Sequence, residues 1–253
     1  MWRMKPAAFA VVALVVVSLA SSANGGVVYD FTTTIETGHG AEKVNGRVWA
    51  DGAAYRAEVT RDGTPVVVIS HDANVTAKLL FPKKQTWANR ARAGAPRSSS
   101  LFVWPMAGAY VPDEPKVFYR RGETVTIAGH NATEQQIEAT FVVESQDFDA
   151  TLRGTYTVKA HIWTTKELPA LPLGQLLRTG YYRVDQELDA IVTSLDGMVL
   201  RHDLEVSRAF QGGPPQTERT STVVRTLTLT DIPAAQFEVP ETYEYAGPVT
   251  QTR

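Results

Sequence analysis

The side chains that could do chemistry are few, and their spacing matches no catalytic or metal-binding motif. None of the histidines has the spacing of a zinc motif such as H-E-x-x-H, and the chain has no cysteine. Neither G-x-S-x-G, S-x-x-K nor a glycine-rich phosphate loop occurs. The sequence therefore predicts a protein that is not an enzyme and has no cofactor. The five histidines are His39, His71, His130, His161 and His202.

His202 is the histidine whose sequence context is informative. Every second residue around it is apolar: Met198, Leu200, Leu204 and Val206. On a strand, this alternation turns the imidazole toward the buried face. Two interpretations remain open: a core histidine with a satisfied hydrogen bond, or a polar contact inside a ligand cavity.

Large aromatic side chains are the other candidates for a site. Some fall on predicted strands and the rest lie in or near two irregular segments. Alternation alone would make them ordinary core, whereas an open barrel encloses room for a ligand that such rings could line. The second interpretation predicts a hydrophobic ligand site formed by Trp49, Tyr55, Phe102, Trp104, Phe141, Tyr156, Trp163 and His202.

The first residues have the pattern of an export signal. Arg3 and Lys5 precede an uncharged apolar run over residues 7–20, and small residues follow up to Ala23. The run is shorter than the roughly 20 residues of a membrane-spanning helix, although an uncleaved anchor is the alternative. We expect a signal peptide over residues 1–23, cleavage near Ala23, and one domain over residues 24–253. The predicted location is periplasmic or secreted, and the protein is not an integral membrane protein.

Composition narrows the class of partner. The formal net charge is −2, which gives no electrostatic case for a nucleic acid. An exported protein of this size without disulfides suits a bacterial envelope better than a eukaryotic secretion route.

The elements that must position these side chains are almost all strands. Tyr29, Phe31 and Ile35 alternate with polar residues, and similar alternation recurs along the chain. The apolar run over residues 65–69 predicts a strand covered on both faces. Residues 188–206 are expected to form a hairpin about Asp196-Gly197. Nine to eleven strands with little helix predict an all-β barrel or curved sheet.

One long segment, residues 88–114, interrupts the strands. It is rich in Ala, Gly, Pro and Ser but carries an apolar cluster at residues 101–106. We expect this cluster to pack over the mouth or edge of the barrel, either as a gate for ligand or as a permanent cap.

Several short motifs resemble the outer-membrane lipoprotein-carrier superfamily, which has the LolA-like fold, and in particular its uncharacterised periplasmic relatives. They span nearly the whole mature chain, at residues 46–58, 68–72, 80–87, 162–169 and 231–243. The resemblance implies a strongly curved, incomplete antiparallel β-barrel, closed over an apolar cavity by short helices or a loop lid. It also implies a periplasmic protein that binds acyl chains or hydrophobic segments, but it assigns no role to an individual residue.

The predicted function is therefore that of an exported, non-catalytic protein that holds a lipid, an acyl chain or another hydrophobic ligand in the barrel cavity. The alternative is an envelope sensor or interaction module of the same fold. It would recognise a protein partner by adding a strand to an open edge of its sheet.

Overall fold

The protein is described by a computed structural model. The description covers residues 25–38, 40–61, 63–71, 77–90, 109–147, 150–168, 181–192, 194–195, 197–211 and 213–247. The expected signal peptide and the apolar cluster at residues 101–106 lie outside these ranges. Within them, no helix is long and apolar enough to cross a membrane.

The described residues form thirteen strands, one α-helix and two 3₁₀ turns. The strands are β1 (Gly26–Thr37), β2 (Gly40–Asp51), β3 (Ala54–Arg61), β4 (Thr64–Ser70), β5 (Ala77–Phe81), β6 (Thr86–Arg90), β7 (Ala109–Tyr110), β8 (Lys116–Ile127), β9 (His130–Asp147), β10 (Ala150–Thr165), β11 (Met198–Phe210), β12 (Gln216–Thr230) and β13 (Glu244–Tyr245). The helix is α1 (Tyr182–Val192), and the 3₁₀ turns are Pro82–Lys84 and Ala234–Phe237.

All thirteen strands belong to one curved sheet that does not close into a barrel. Its order is β13-β6-β5-β4-β3-β2-β1-β12-β11-β10-β9-β7, and β8 pairs with β9 beside β7. Every pairing is antiparallel except that of β13 with β6. The predicted fold class, an all-β incomplete barrel, is confirmed. The strand count exceeds nine to eleven because β7 and β13 have two residues each, too few for alternation to appear in the sequence.

Strand register assigns every side chain to one of two faces, which we call inner and outer. Tyr29 of β1 lies opposite Val48 of β2 and Leu227 of β12, and these three define the inner face. Successive residues on a strand point to opposite faces, so the intervening positions belong to the outer face.

A row of alternating charges on the outer face supports this register. It crosses five adjacent strands through directly opposed residues, namely Glu138, Lys159, Glu205, Arg219 and Glu36. Directly opposed charges of unlike sign stabilise a sheet, whereas a shift of one strand by two residues would break the alternation.

Two apolar clusters cover the inner face. The first lies mainly on β1–β5, where it includes Tyr29, Phe31 and Tyr55, and it extends to Leu200 of β11 and Val224 of β12. The second lies on β8–β11 and packs against α1 through Tyr181, Val184 and Leu188. The helix therefore lies on the inner face of the β9–β11 half of the sheet.

The expected hairpin over residues 188–206 is wrong, because Leu188 belongs to α1 and β11 begins only at Met198. Tyr181, Val184 and Leu188 are spaced three and four residues apart, which is the helical period, and all three are buried. Gly197 does lie at a turn, with a positive φ of 97°, but β11 pairs with β10 and β12 instead of with a preceding strand.

The C-terminal segment covers the outer face of β4–β6. Phe237, in the second 3₁₀ turn, is buried against Val67, Ile69 and Leu80. Because Val68 is buried on the inner face at the same time, the prediction that residues 65–69 form a strand covered on both faces is confirmed.

Candidate functional site

The candidate site is a row of polar side chains that crosses the apolar inner face. Thr33 of β1 lies opposite Thr222 of β12, Thr222 lies opposite His202 of β11, and His202 lies opposite Ile162 of β10. Ile162 in turn lies opposite Gln135 of β9. The four polar members, Thr33, Thr222, His202 and Gln135, are all buried. We call these four residues the polar row.

Three members of the polar row have hydrogen-bond partners. The hydroxyls of Thr33 and Thr222 lie 2.8 Å apart and bond to each other. The Tyr119 hydroxyl donates to the side-chain oxygen of Gln135 over 2.6 Å. These bonds compensate the cost of burying uncharged polar groups among apolar ones.

His202 is the exception. Its side chain is 3% exposed, and its Nε2 atom has no hydrogen-bond partner among the described residues. Burial lowers the pKa of the imidazole from 6.5 to about 4, although the carboxylate of Asp203 opposes part of this shift. The imidazole is therefore neutral near pH 7. A buried, neutral and unpaired nitrogen is a group that a bound molecule could satisfy.

The second apolar cluster contains a stack of aromatic rings under α1. The rings of Phe141 and Tyr156 are stacked with centroids 5.5 Å apart. Tyr181, which precedes α1, lies 5.7 Å from Phe141 and 6.3 Å from Tyr156. Such pairs add about 1 kcal/mol each beyond the area they bury, so the rings stabilise the packing of this half of the inner face.

The structure divides the site residues predicted from the sequence into three groups. Tyr55, Phe141, Tyr156 and His202 lie on the inner face. The second group is Trp49, which lies on the outer face beside the C-terminal segment, and Trp163, which packs against the first cluster and is covered by the guanidinium of Arg201, 4.4 Å from its ring. The last two, Phe102 and Trp104, lie outside the described residues.

Sequence reasoning did not identify the other members of the polar row. Thr33 occupies a core position of β1, where alternation with Phe31 and Ile35 could have drawn attention to it. Thr222 and Gln135 had no such signal, because only the strand pairing shows that they share a row with His202.

The outer face offers weaker candidates. A groove of about 440 Å³ lies over β10–β12 and is lined by charged residues such as Lys159, Asp203 and Arg219. Asp203 accepts hydrogen bonds from Arg201 and Ser221, and Arg219 bonds to Glu205. Charges that already satisfy one another on an open surface are typical of a solvated face.

A second outer groove, of about 890 Å³, lies beside the C-terminal segment. Arg47 donates two hydrogen bonds to Asp30 at its edge, over 2.6 and 2.9 Å. These bonds hold the pKa of the Asp30 carboxyl below its usual range. The pair therefore stays ionised, and its two charged groups bond to each other.

Two other histidines lie within hydrogen-bond distance of glutamates on the surface. His130 lies 2.8 Å from Glu167, and His161 lies 2.7 Å from Glu134. Burial would raise the pKa of Glu134, but its hydrogen bonds with His161 and Gln136 outweigh that effect and lower it. In the described part of the chain, no three acidic or histidine side chains come together as a metal site would require.

Two distant structural neighbours are among the solved structures that the chain is similar to. One is a DUF1329 family protein from Desulfovibrio piger, with 10% identity and a TM-score of 0.33 over 86% of this chain and 91% of that chain. The other is an outer membrane lipoprotein-sorting protein domain from Vibrio parahaemolyticus, with 11% identity and a TM-score of 0.31 over 85% of this chain and 89% of that chain. No family model and no curated protein matches the chain. At such identities and TM-scores, neither structure bears on what this chain binds.

Proposed function

We propose that the protein is exported to the bacterial periplasm and binds a lipid, an acyl chain or another hydrophobic ligand on the inner face of its sheet, without catalysing a reaction. The observation that carries the proposal is the unpaired Nε2 atom of His202, which is buried between two apolar clusters on one face of an open sheet. Ligand sites are typically apolar surfaces with a few polar groups that fix orientation. The signal pattern over residues 1–23 supports export.

The open sheet supports the proposal energetically. An acyl chain that reaches the inner face gains about 0.8 kcal/mol for each methylene it buries, so no charged anchor is needed. The two ends of the sheet, at β13 and β8, do not pair with each other. An element that covers the inner face, such as α1, can therefore move away from it while the hydrogen bonds between the strands stay intact.

Photolabelling tests this proposal at the level of single residues. The protein is purified from the periplasm of an expressing bacterium and irradiated with an uncharged alkyl probe that carries a diazirine. We expect label at inner-face positions of β10 and β11, such as Val158, Leu204 and Val206, and not at their outer-face neighbours Lys159 and Glu205. Native mass spectrometry of the same preparation should show a copurified lipid.

The matched control is the same chain with an excess of unlabelled competitor, which should abolish the inner-face label alone. Label spread equally over both faces, with no mass above that of the bare chain, would contradict the proposed function.

A second candidate function, recognition of a protein partner by strand addition, is favoured by the edge strand β8. This twelve-residue strand pairs only with β9 among the described residues. Phe118 is 66% exposed on it, and Tyr119 and Val125 are also exposed. Long edge strands with exposed apolar side chains are sites of pairing with other chains, although charges such as Arg120 and a bulge before Thr124 restrict this one.

Charged substitutions on β8 test this second function. Phe118→Lys combined with Val125→Lys should reduce capture of a stoichiometric protein partner about tenfold or more, because both side chains would flank the added strand. The control is Leu152→Lys, at an equally exposed apolar position on β10, which is not an edge strand. A partner that both variants retain, or that both lose, does not bind along β8.

A further inference from the structure

At His202, the polar row lies at the boundary between the two apolar clusters of the inner face. On β11, Leu200 belongs to the first cluster and Leu204 to the second, and His202 lies between them. On β12, Val224 of the first cluster is the next inner-face residue after Thr222. A ligand that occupies both clusters must therefore place part of its skeleton against the polar row.

All four side chains of the polar row are uncharged. The imidazole of His202 is neutral near pH 7, since burial holds its pKa at about 4. No lysine or arginine lies opposite His202, and Arg121 of β8, which lies opposite Gln135, is three strands away from the imidazole. A carboxylate or phosphate placed against His202 would lose its hydration without gaining a cation, which strongly disfavours it.

One buried side-chain atom of the row lacks a hydrogen-bond partner, and it belongs to the neutral imidazole of His202. The two threonine hydroxyls bond to each other and Gln135 accepts from Tyr119, whereas Nε2 of His202 is unpaired. A neutral imidazole nitrogen either donates or accepts, according to its tautomer. A hydroxyl or an amide group of a ligand both donates and accepts hydrogen bonds, so it can pair with Nε2 in either tautomer. An alkane can do neither.

We infer that the ligand of the inner face is an uncharged amphiphile with a hydroxyl or amide inside its apolar skeleton, and that His202 binds this group at the boundary between the two clusters. This inference rests on the proposed function and specifies the chemical class of the ligand. His202 acts as a specificity-determining residue, while the two clusters supply most of the affinity.

A series of chain-matched probes tests the inference. A long-chain alkane and three chains of the same length, which carry a hydroxyl, an amide or a carboxylate at mid-chain, compete at pH 8 for the purified protein against the uncharged fluorophore N-phenylnaphthylamine. We call these four probes the alkane, the alcohol, the amide and the carboxylate. We expect the alcohol and the amide to bind at least about tenfold more tightly than the carboxylate. His202→Leu should lower the affinity for the alcohol relative to the alkane by about fivefold to tenfold, the value of one hydrogen bond. His202→Gln should retain most of this ratio, and the neighbouring Ile162→Val should leave it unchanged.

The outcomes separate the inference from the proposed function. If no probe displaces the fluorophore, the proposed function fails and the inference fails with it. If alkane and alcohol both bind but His202→Leu leaves their ratio unchanged, or if the carboxylate binds as tightly as the alcohol, only the inference is overturned. Should His202→Leu not fold, the nitrogen-15 shift of Nε2 in the unaltered chain decides. It should move when the alcohol is added and not when the alkane is added, and a shift unmoved by the alcohol overturns the inference.

Discussion

Replacing Gly197 with alanine is expected to destabilise the protein by about 3 kcal/mol or more, and to lower its melting temperature by roughly 10 °C. Gly197 has a φ of 97°, a conformation that side chains with a Cβ rarely adopt. In addition, a Cβ at this position would collide with the backbone carbonyl of Thr165, at the end of β10. Neither atom can rotate away, because Met198 is paired with Thr165 in the sheet. Urea unfolding followed by circular dichroism measures the loss.

The matched control for this substitution is Gly52→Ala. Gly52 also has a positive φ, of 56°, but a Cβ there would meet no atom within 4 Å. Its cost should be the strain of the backbone alone, about 1 kcal/mol. Equal losses at the two positions would show that the collision with Thr165 is relieved by a small movement, and that this part of the prediction is wrong.

Acidification from pH 6.5 to pH 4 is expected to cost the protein about 3 kcal/mol through His202 alone. The pKa of this imidazole is about 4 in the folded chain and 6.5 in its ordinary environment. Between these values the unfolded chain binds a proton that the folded chain does not, so stability falls as pH falls. The contribution is fully present above pH 6.5. Each pH unit within the window corresponds to about 1.4 kcal/mol.

The measurement is the free energy of unfolding in urea at pH 7 and at pH 4, for the unaltered chain and for His202→Gln. Carboxyl groups such as Asp30, whose pKa is lowered by Arg47, also lose stabilisation in acid, and they do so in both proteins. The difference between the two pH dependences therefore isolates His202. The exposed His71, replaced by glutamine, is the control and should leave the dependence unchanged. Parallel curves for His202→Gln and the unaltered chain would contradict the burial of a neutral imidazole.

Both predictions depend on contacts that are distant in sequence or invisible in it. The Asp196-Gly197 pair indicated a turn, and Gly197 does lie at one, but the hairpin expected around it does not form. The residues before the turn, including Val184 and Leu188, have helical spacing and pack on the inner face. The turn residues predicted where β11 begins, but they did not predict that a helix precedes it. The helix forms because its apolar side packs on the inner face of the sheet, and such tertiary packing overrides local preference.

The alternation of single strands was predictable because it reflects a local geometric rule. Tyr29, Phe31, Phe141 and Tyr156 were each placed on strands whose alternation predicts a core position, and each is buried on the inner face. Period-two patterns carry this information whatever the neighbouring strands are. The same rule does not tell which face of one strand continues onto the next, so Trp49, which lies on the outer face, was grouped with inner-face residues.

Residue type and spacing along single strands were enough to predict an all-β chain, a strongly apolar face of its sheet, and a His202 side chain that points into that face. Strand pairing was needed to show that Thr33 and Thr222, which are 189 residues apart, lie in one polar row with His202 and Gln135. A row across a sheet is set by strand order and register, and these depend on the free energy of packing the whole face, not on any segment alone.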